Sequence, residues 1–119
     1  MFEHAVMVRF NYGKDSLVPL MELETLLEEA IDEAGVGMFD GNDVQTNLCD
    51  GYLYMYGPDA DELFRVVRPV LESVSFMDRA VARLRYGAPS DQVPESEINL
   101  RVLSGPQAPI NFSLISCIR

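Results

Sequence analysis

A chain of 119 residues, 48% of them hydrophobic, has room for one domain around one core, which excludes a disordered body. No apolar run approaches the ~20 residues of a membrane span. Nineteen acids against nine Lys and Arg leave a net charge of -10, which argues against the clustered cations that nucleic-acid binding needs.

The acidity is uneven. Between Lys14 and Arg65 stands no basic residue, while thirteen acids from Asp15 to Glu62 fall in that interval. Such a surface is either a solvated face that keeps the chain in solution or a face for a basic partner protein, the solvated face being the commoner case. The start, MFEHAVMVRF, has no basic stretch followed by an apolar block, so no leader is read and a cytoplasmic location is expected. Cys49 and Cys117 are not in a CxxC spacing; free thiols in a reducing compartment are expected, with a bridge between the two as the alternative.

In chain order, His4 to Tyr12 alternates: Val6, Val8 and Phe10 on one face, Met7, Arg9 and Asn11 on the other, a half-buried strand. Asp15 and Ser16 are helix-start residues and Pro19 suits a first turn. Leu20, Leu23, Leu27 and Ile31 then recur at helical spacing up to Gly35, placed to cap the C-terminus. Val36 to Phe39 reads as a strand start, Asp40 to Asp43 as a bulge or short loop, and Val44 to Cys49 as the strand resumed. Asp50-Gly51 is a two-residue hairpin signal. It predicts Cys49 opposite Tyr52, Asn47 opposite Tyr54 and Gln45 opposite Tyr56, with Leu48, Leu53 and Met55 on the other face.

Gly57-Pro58 ends the strand, and Asp59 with Glu62 imitates a capping box before a stripe of Leu63, Val66, Val67, Val70 and Leu71. Pro69 lies inside that helix, which is expected to continue past it. Ala80 to Gly87 reads as a last strand, with Ala82 and Leu84 inward and Arg83 and Arg85 outward. Ala88 to Glu97 reads as a loop. Ile98 to Leu103 and Ile110 to Ile118 read as an extra hairpin or a packing arm.

The order strand, helix, strand, strand, helix, strand is the split βαβ arrangement. On the caps at Asp15-Ser16 and Asp59, the Asp50-Gly51 hairpin and four alternating strands, the chain resembles the ferredoxin-like superfold over about residues 4–87. That resemblance implies an α+β domain (1–87), an antiparallel sheet in the order 4-1-3-2, both helices on one face, and a C-terminal extension (88–119). A superfold implies no particular chemistry.

It does imply an open sheet face. The expected set there is Arg9, Asn11, Gln45, Asn47, Tyr52, Tyr54, Tyr56, Arg83 and Arg85, with Met7 and Cys49 beside them and no acid among them. Aromatic and arginine side chains are those enriched at binding hot spots. The tyrosine stripe has three readings: packing beneath the extension, an interface with a second copy or another protein, or a platform for a ligand or single-stranded nucleic acid. The last lacks the RNA-binding consensus at residues 51–57 and has the wrong overall charge.

Elsewhere the residues read as structural. His4 has no HxxH or HExxH partner, Cys49 no neighbouring cation, the Asp40-Asn42-Asp43 turn no calcium-loop spacing, and the glycines no phosphate-loop sequence. No catalytic residue, metal or cofactor is read. The expected function is a small acidic non-enzymatic protein-interaction module, self-associating or inhibitor-like, docking through the sheet face. The alternative is a binder of, or enzyme on, a small anionic ligand, held by Arg9, Arg83 and Arg85 with the tyrosines stacked on it.

Overall fold

A computed structural model of the chain describes residues 3–102. Along them run β1 (His4–Asn11), α1 (Val18–Ala34), β2 (Met38–Val44), β3 (Asp50–Gly57), α2 (Ala60–Leu71), a 3-10 turn (Ser75–Met77), β4 (Val81–Arg85) and β5 (Glu95–Asn99). The strands form one sheet in the order β2-β3-β1-β4-β5, antiparallel throughout. This α+β architecture is compatible with the ferredoxin-like arrangement; β5, added outside β4, departs from its strict form.

The period-two pattern of the strands decides which face is covered. Val6, Val8 and Phe10 of β1, Leu53 and Met55 of β3, and Ala82 and Leu84 of β4 turn to one side. There they meet Leu20, Leu23, Leu27 and Ile31 of α1 and Leu63, Val67 and Leu71 of α2 in one buried cluster. Each such large side chain gains roughly 1.5–3 kcal/mol over remaining in water, so this cluster dominates the fold's stability. Both helices therefore lie on the same face.

The helix ends are held in different ways. α1 starts one residue later than the expected Asp15-Ser16 cap: Leu17 is the N-cap and no side chain caps it, although Ser16 Oγ accepts from the Val18 N–H at 3.1 Å. Its approach is fixed instead by buried Tyr12, whose hydroxyl donates to the Ser16 carbonyl and accepts from the Leu20 N–H. Gly35 closes the helix in the left-handed conformation, φ 67°, which costs glycine nothing. α2 has the expected cap: Asp59 accepts from the N–H groups of Asp61 and Glu62, and His4 Nδ1 accepts from that of Ala60 at 3.0 Å. His4 thus has a structural use. Pro69 lies in the helix two residues before its end.

The hairpin between β2 and β3 differs from the sequence-based register. Asp50 and Gly51 are not its turn; they are the first residues of β3, paired with Asn11 and Phe10 of β1. The turn is 45–49, closed by Gln45 N–H donating to the Asp50 carbonyl and Leu48 N–H to the Gln45 carbonyl. Leu48 takes the left-handed conformation at φ 61°, and Asn47 Oδ1 accepts from the Cys49 N–H. The turn is also tied to the end of β1, since Tyr12 and Gly13 donate to the Cys49 and Leu48 carbonyls. β2 accordingly occupies 38–44, with the expected irregularity falling between Phe39 and Gly41.

The strand expected from Ile98 begins earlier, at Glu95, and pairs along β4. The expected strand from Ile110 to Ile118 and the readings that place the tail over the tyrosines lie outside the described residues.

Candidate functional site

The sheet face away from the helices is built of three cross-strand rows. Asp43, Tyr52, Arg9, Val81 and Asn99 form the first; Gly41, Tyr54, Met7, Arg83 and Glu97 the second; Met38, Tyr56, Ala5, Arg85 and Glu95 the third. Directly opposed residues share a face, so the three tyrosines, Met7 and the three arginines stand together as expected. Asn11 ends β1 opposite Asp50.

Three expected members do not. Gln45, Asn47 and Cys49 lie in the turn rather than on the strand, because the residues opposite the tyrosines are Met38, Gly41 and Asp43. Cys49 is buried and disulfide-bonded, so the expected free thiol there is corrected; Cys117 lies outside the described residues. The expected absence of acids is also wrong. Asp43 stands opposite Tyr52, Glu97 opposite Arg83 and Glu95 opposite Arg85. Two of these come from β5, which the loop reading of 88–97 had hidden.

The acids engage the arginines. Arg83 donates to Glu97 Oε2 at 2.7 Å and lies 3.7 Å from Glu95 Oε1. Its guanidinium is held above its ordinary range by the hydrogen bond and charge of Glu97. Arg85 donates to the backbone carbonyls of Gly87 and Glu3. Arg9 lies 3.9 Å from the carboxylate of buried Asp50. The exposed pairs of Arg83 with Glu95 and Glu97 contribute about 0–1 kcal/mol each, so their effect is to position the groups rather than to stabilise the fold.

The centre of the face is aromatic. The rings of Tyr52 and Tyr54 lie parallel, 7° apart in plane with centroids 6.0 Å apart. Tyr52 is 40% exposed and Met38 42% exposed, while Tyr54 and Tyr56 are half-buried. Gly41, opposite Tyr54, has open space where a side chain would stand, leaving that flank of the ring uncovered. Burial, then the charge of Asp43, pushes the Tyr54 hydroxyl above its ordinary value. The hydroxyl therefore stays neutral and able to donate across the physiological range.

Other surfaces carry less chemistry. A shallow groove of about 390 Å³ runs along α2, lined by Asp61, Phe64, Arg65, Arg68, Pro69 and Glu72. Its charges are engaged locally: Arg65 with Glu62, Arg68 with Glu72, and Asp61 with the Tyr86 hydroxyl. Among the described residues no group of three His, Cys, Asp or Glu is placed to hold a metal ion, and no helix is long and apolar enough to cross a membrane.

Sequence reasoning missed Met38, Asp43, Glu95 and Glu97. For the β5 pair, the alternation Glu95-Ser96-Glu97-Ile98-Asn99 was the available signal: its one apolar residue, Ile98, packs against the core while both glutamates face out. No family model matches the chain, and neither does any curated protein or solved structure.

Proposed function

We propose that this chain is a small, non-enzymatic protein-interaction module that docks through its outer sheet face, with a second copy of itself as the partner. The observation that carries the reading is the parallel, solvent-reaching Tyr52–Tyr54 pair, on a face that also carries exposed Met38 opposite Tyr56. Aromatic and methionine side chains with flanking arginines are the composition enriched at interface centres. Around them the face carries both signs, Arg9 and Arg83 against Asp43, Glu95 and Glu97. A face of mixed sign is suited to a two-fold contact, in which each residue meets its counterpart's surroundings.

The anionic-ligand reading is weaker. Each of its three arginines is already engaged, Arg83 by two carboxylates and Arg85 by two carbonyls. An incoming anion would have to displace those partners and would meet the negative charge of Glu95 and Glu97 beside Arg83.

Light scattering on a size-exclusion column tests the proposal. The chain is expected to elute as a dimer at high concentration, and Tyr52→Ala/Tyr54→Ala as a folded monomer. A wild-type chain that stays monomeric at every concentration removes self-association.

A further inference from the structure

We infer that the outer side of α1 is a second docking surface, independent of the sheet-face reading, whose partner is a basic amphipathic helix. Six large hydrophobic residues are exposed among the described residues, and four belong to this region: Leu17 (44%), Val18 (56%), Met21 (59%) and Leu26 (47%). None of the four serves the core, which α1 reaches through Leu20, Leu23, Leu27 and Ile31. At 3.6 residues per turn Val18, Met21 and Leu26 share the exposed arc with Glu22, Glu29 and Glu33. Scattered surface hydrophobics are ordinary, but a group on one helix face marks an interaction site.

The charges say which partner. Glu28 with Asp32 and Glu29 with Glu33 are like-charged pairs four residues apart, which destabilise a helix by a few tenths of a kcal/mol each. Asp32 and Glu33 also sit in the last turn, where no basic residue offsets the helix dipole. The ion pairs of the described residues involve Asp50, Glu62, Glu72, Glu95 and Glu97, and none involves an acid of α1. A helix bearing Lys and Arg beside apolar residues meets both features at once: its cations relieve the repulsion at the glutamates, and its apolar residues meet Met21 and Leu26, which flank them. A second copy of the same face is disfavoured, since it would set acid against acid. Nucleic acid and anionic lipid are repelled for the same reason.

The test uses the full chain and a short helical peptide with leucines on one face and lysines on the other, read by fluorescence anisotropy. Oligolysine of equal charge is the control. The amphipathic peptide is expected to bind at least about tenfold tighter than oligolysine, and to weaken about tenfold with Met21→Ser/Leu26→Ser. Glu29→Lys/Glu33→Lys is expected to weaken it by at least as much, and about 1 M salt, where screening acts within about 3 Å, to weaken it further. All four positions are exposed, and circular dichroism verifies that the variants fold. Tyr52→Ala/Tyr54→Ala is expected to bind the peptide as wild type does, whatever its oligomeric state. Equal binding of both peptides, unchanged affinity in both α1 variants, or loss in the tyrosine variant overturns the inference.

Discussion

Gly51 lies beneath the ring of Phe10: a Cβ built on it would stand 2.8 Å from Phe10 Cζ and 3.1 Å from a Val44 methyl. The glycine is there for close approach within the sheet, beside a fully packed core ring. Gly51→Ala therefore forces Phe10 out of place, an overpacking cost of about 1–3 kcal/mol. Urea denaturation is expected to show that loss with an unchanged slope. If Asp50-Gly51 were a hairpin turn, alanine there would disturb the turn and leave Phe10 untouched; nuclear magnetic resonance shifts of the Phe10 ring separate the two.

Tyr12, its ring packed edge-on against Phe10 and Phe76, joins the end of β1 to the start of α1 through its hydroxyl. Tyr12→Phe keeps the ring but leaves the Leu20 N–H without its acceptor in a helix that has no side-chain cap. The expected cost is about 1–3 kcal/mol, read as a lower urea midpoint.

The hydroxyls of Tyr12, Tyr54 and Tyr86 are all held above the ordinary tyrosine value. Burial is the main cause for the first two. For Tyr86, a lowering hydrogen bond from Ser96 is outweighed by its bond to Asp61, burial and acid charge. The fold thus favours the neutral phenol. Its contribution is complete below the unfolded value of about 10 and is lost as pH rises through the higher folded values. Stability is expected to hold up to about pH 10 and fall beyond it, with a shallower fall in Tyr12→Phe. A profile equally steep in the variant would contradict the assignment.

Asp59→Ala removes the acceptor for two N–H groups of α2, and about 1 kcal/mol of stability is expected to go with it. The helix should still form, because His4 keeps the Ala60 N–H and the buried stripe is untouched. Equilibrium unfolding measures the loss, and far-ultraviolet circular dichroism of the folded variant should be unchanged.

What was legible in the sequence was local. The spacing of Leu20, Leu23, Leu27 and Ile31 marks α1, Asp59 marks the start of α2, and Leu53 and Met55 separate cleanly from the tyrosines, because each signal acts within one turn or one pleat. The hairpin register was not, since Asp50-Gly51 resembles a turn in isolation and contact with Phe10, far back in the chain on β1, explains that glycine. Leu48 in a left-handed turn has no sequence signal, because a branched aliphatic residue is a poor candidate for that conformation. Once the register moved, Asn47 and Gln45 left the candidate face and Asp43 joined it. The acids of β5 escaped for a related reason: an edge strand with one inward apolar residue is indistinguishable from a polar loop until β4 is seen to pair with it.

The claim on which the functional reading rests is that the face around Tyr52 and Tyr54 meets another copy. Two-dimensional spectra of labelled protein over a dilution series test it most directly. Concentration-dependent shifts are expected at Met7, Met38, Asp43, Tyr52, Tyr54 and Glu97, with α1 and α2 unmoved. Spectra unchanged on dilution, or shifts confined to the helices, would contradict it.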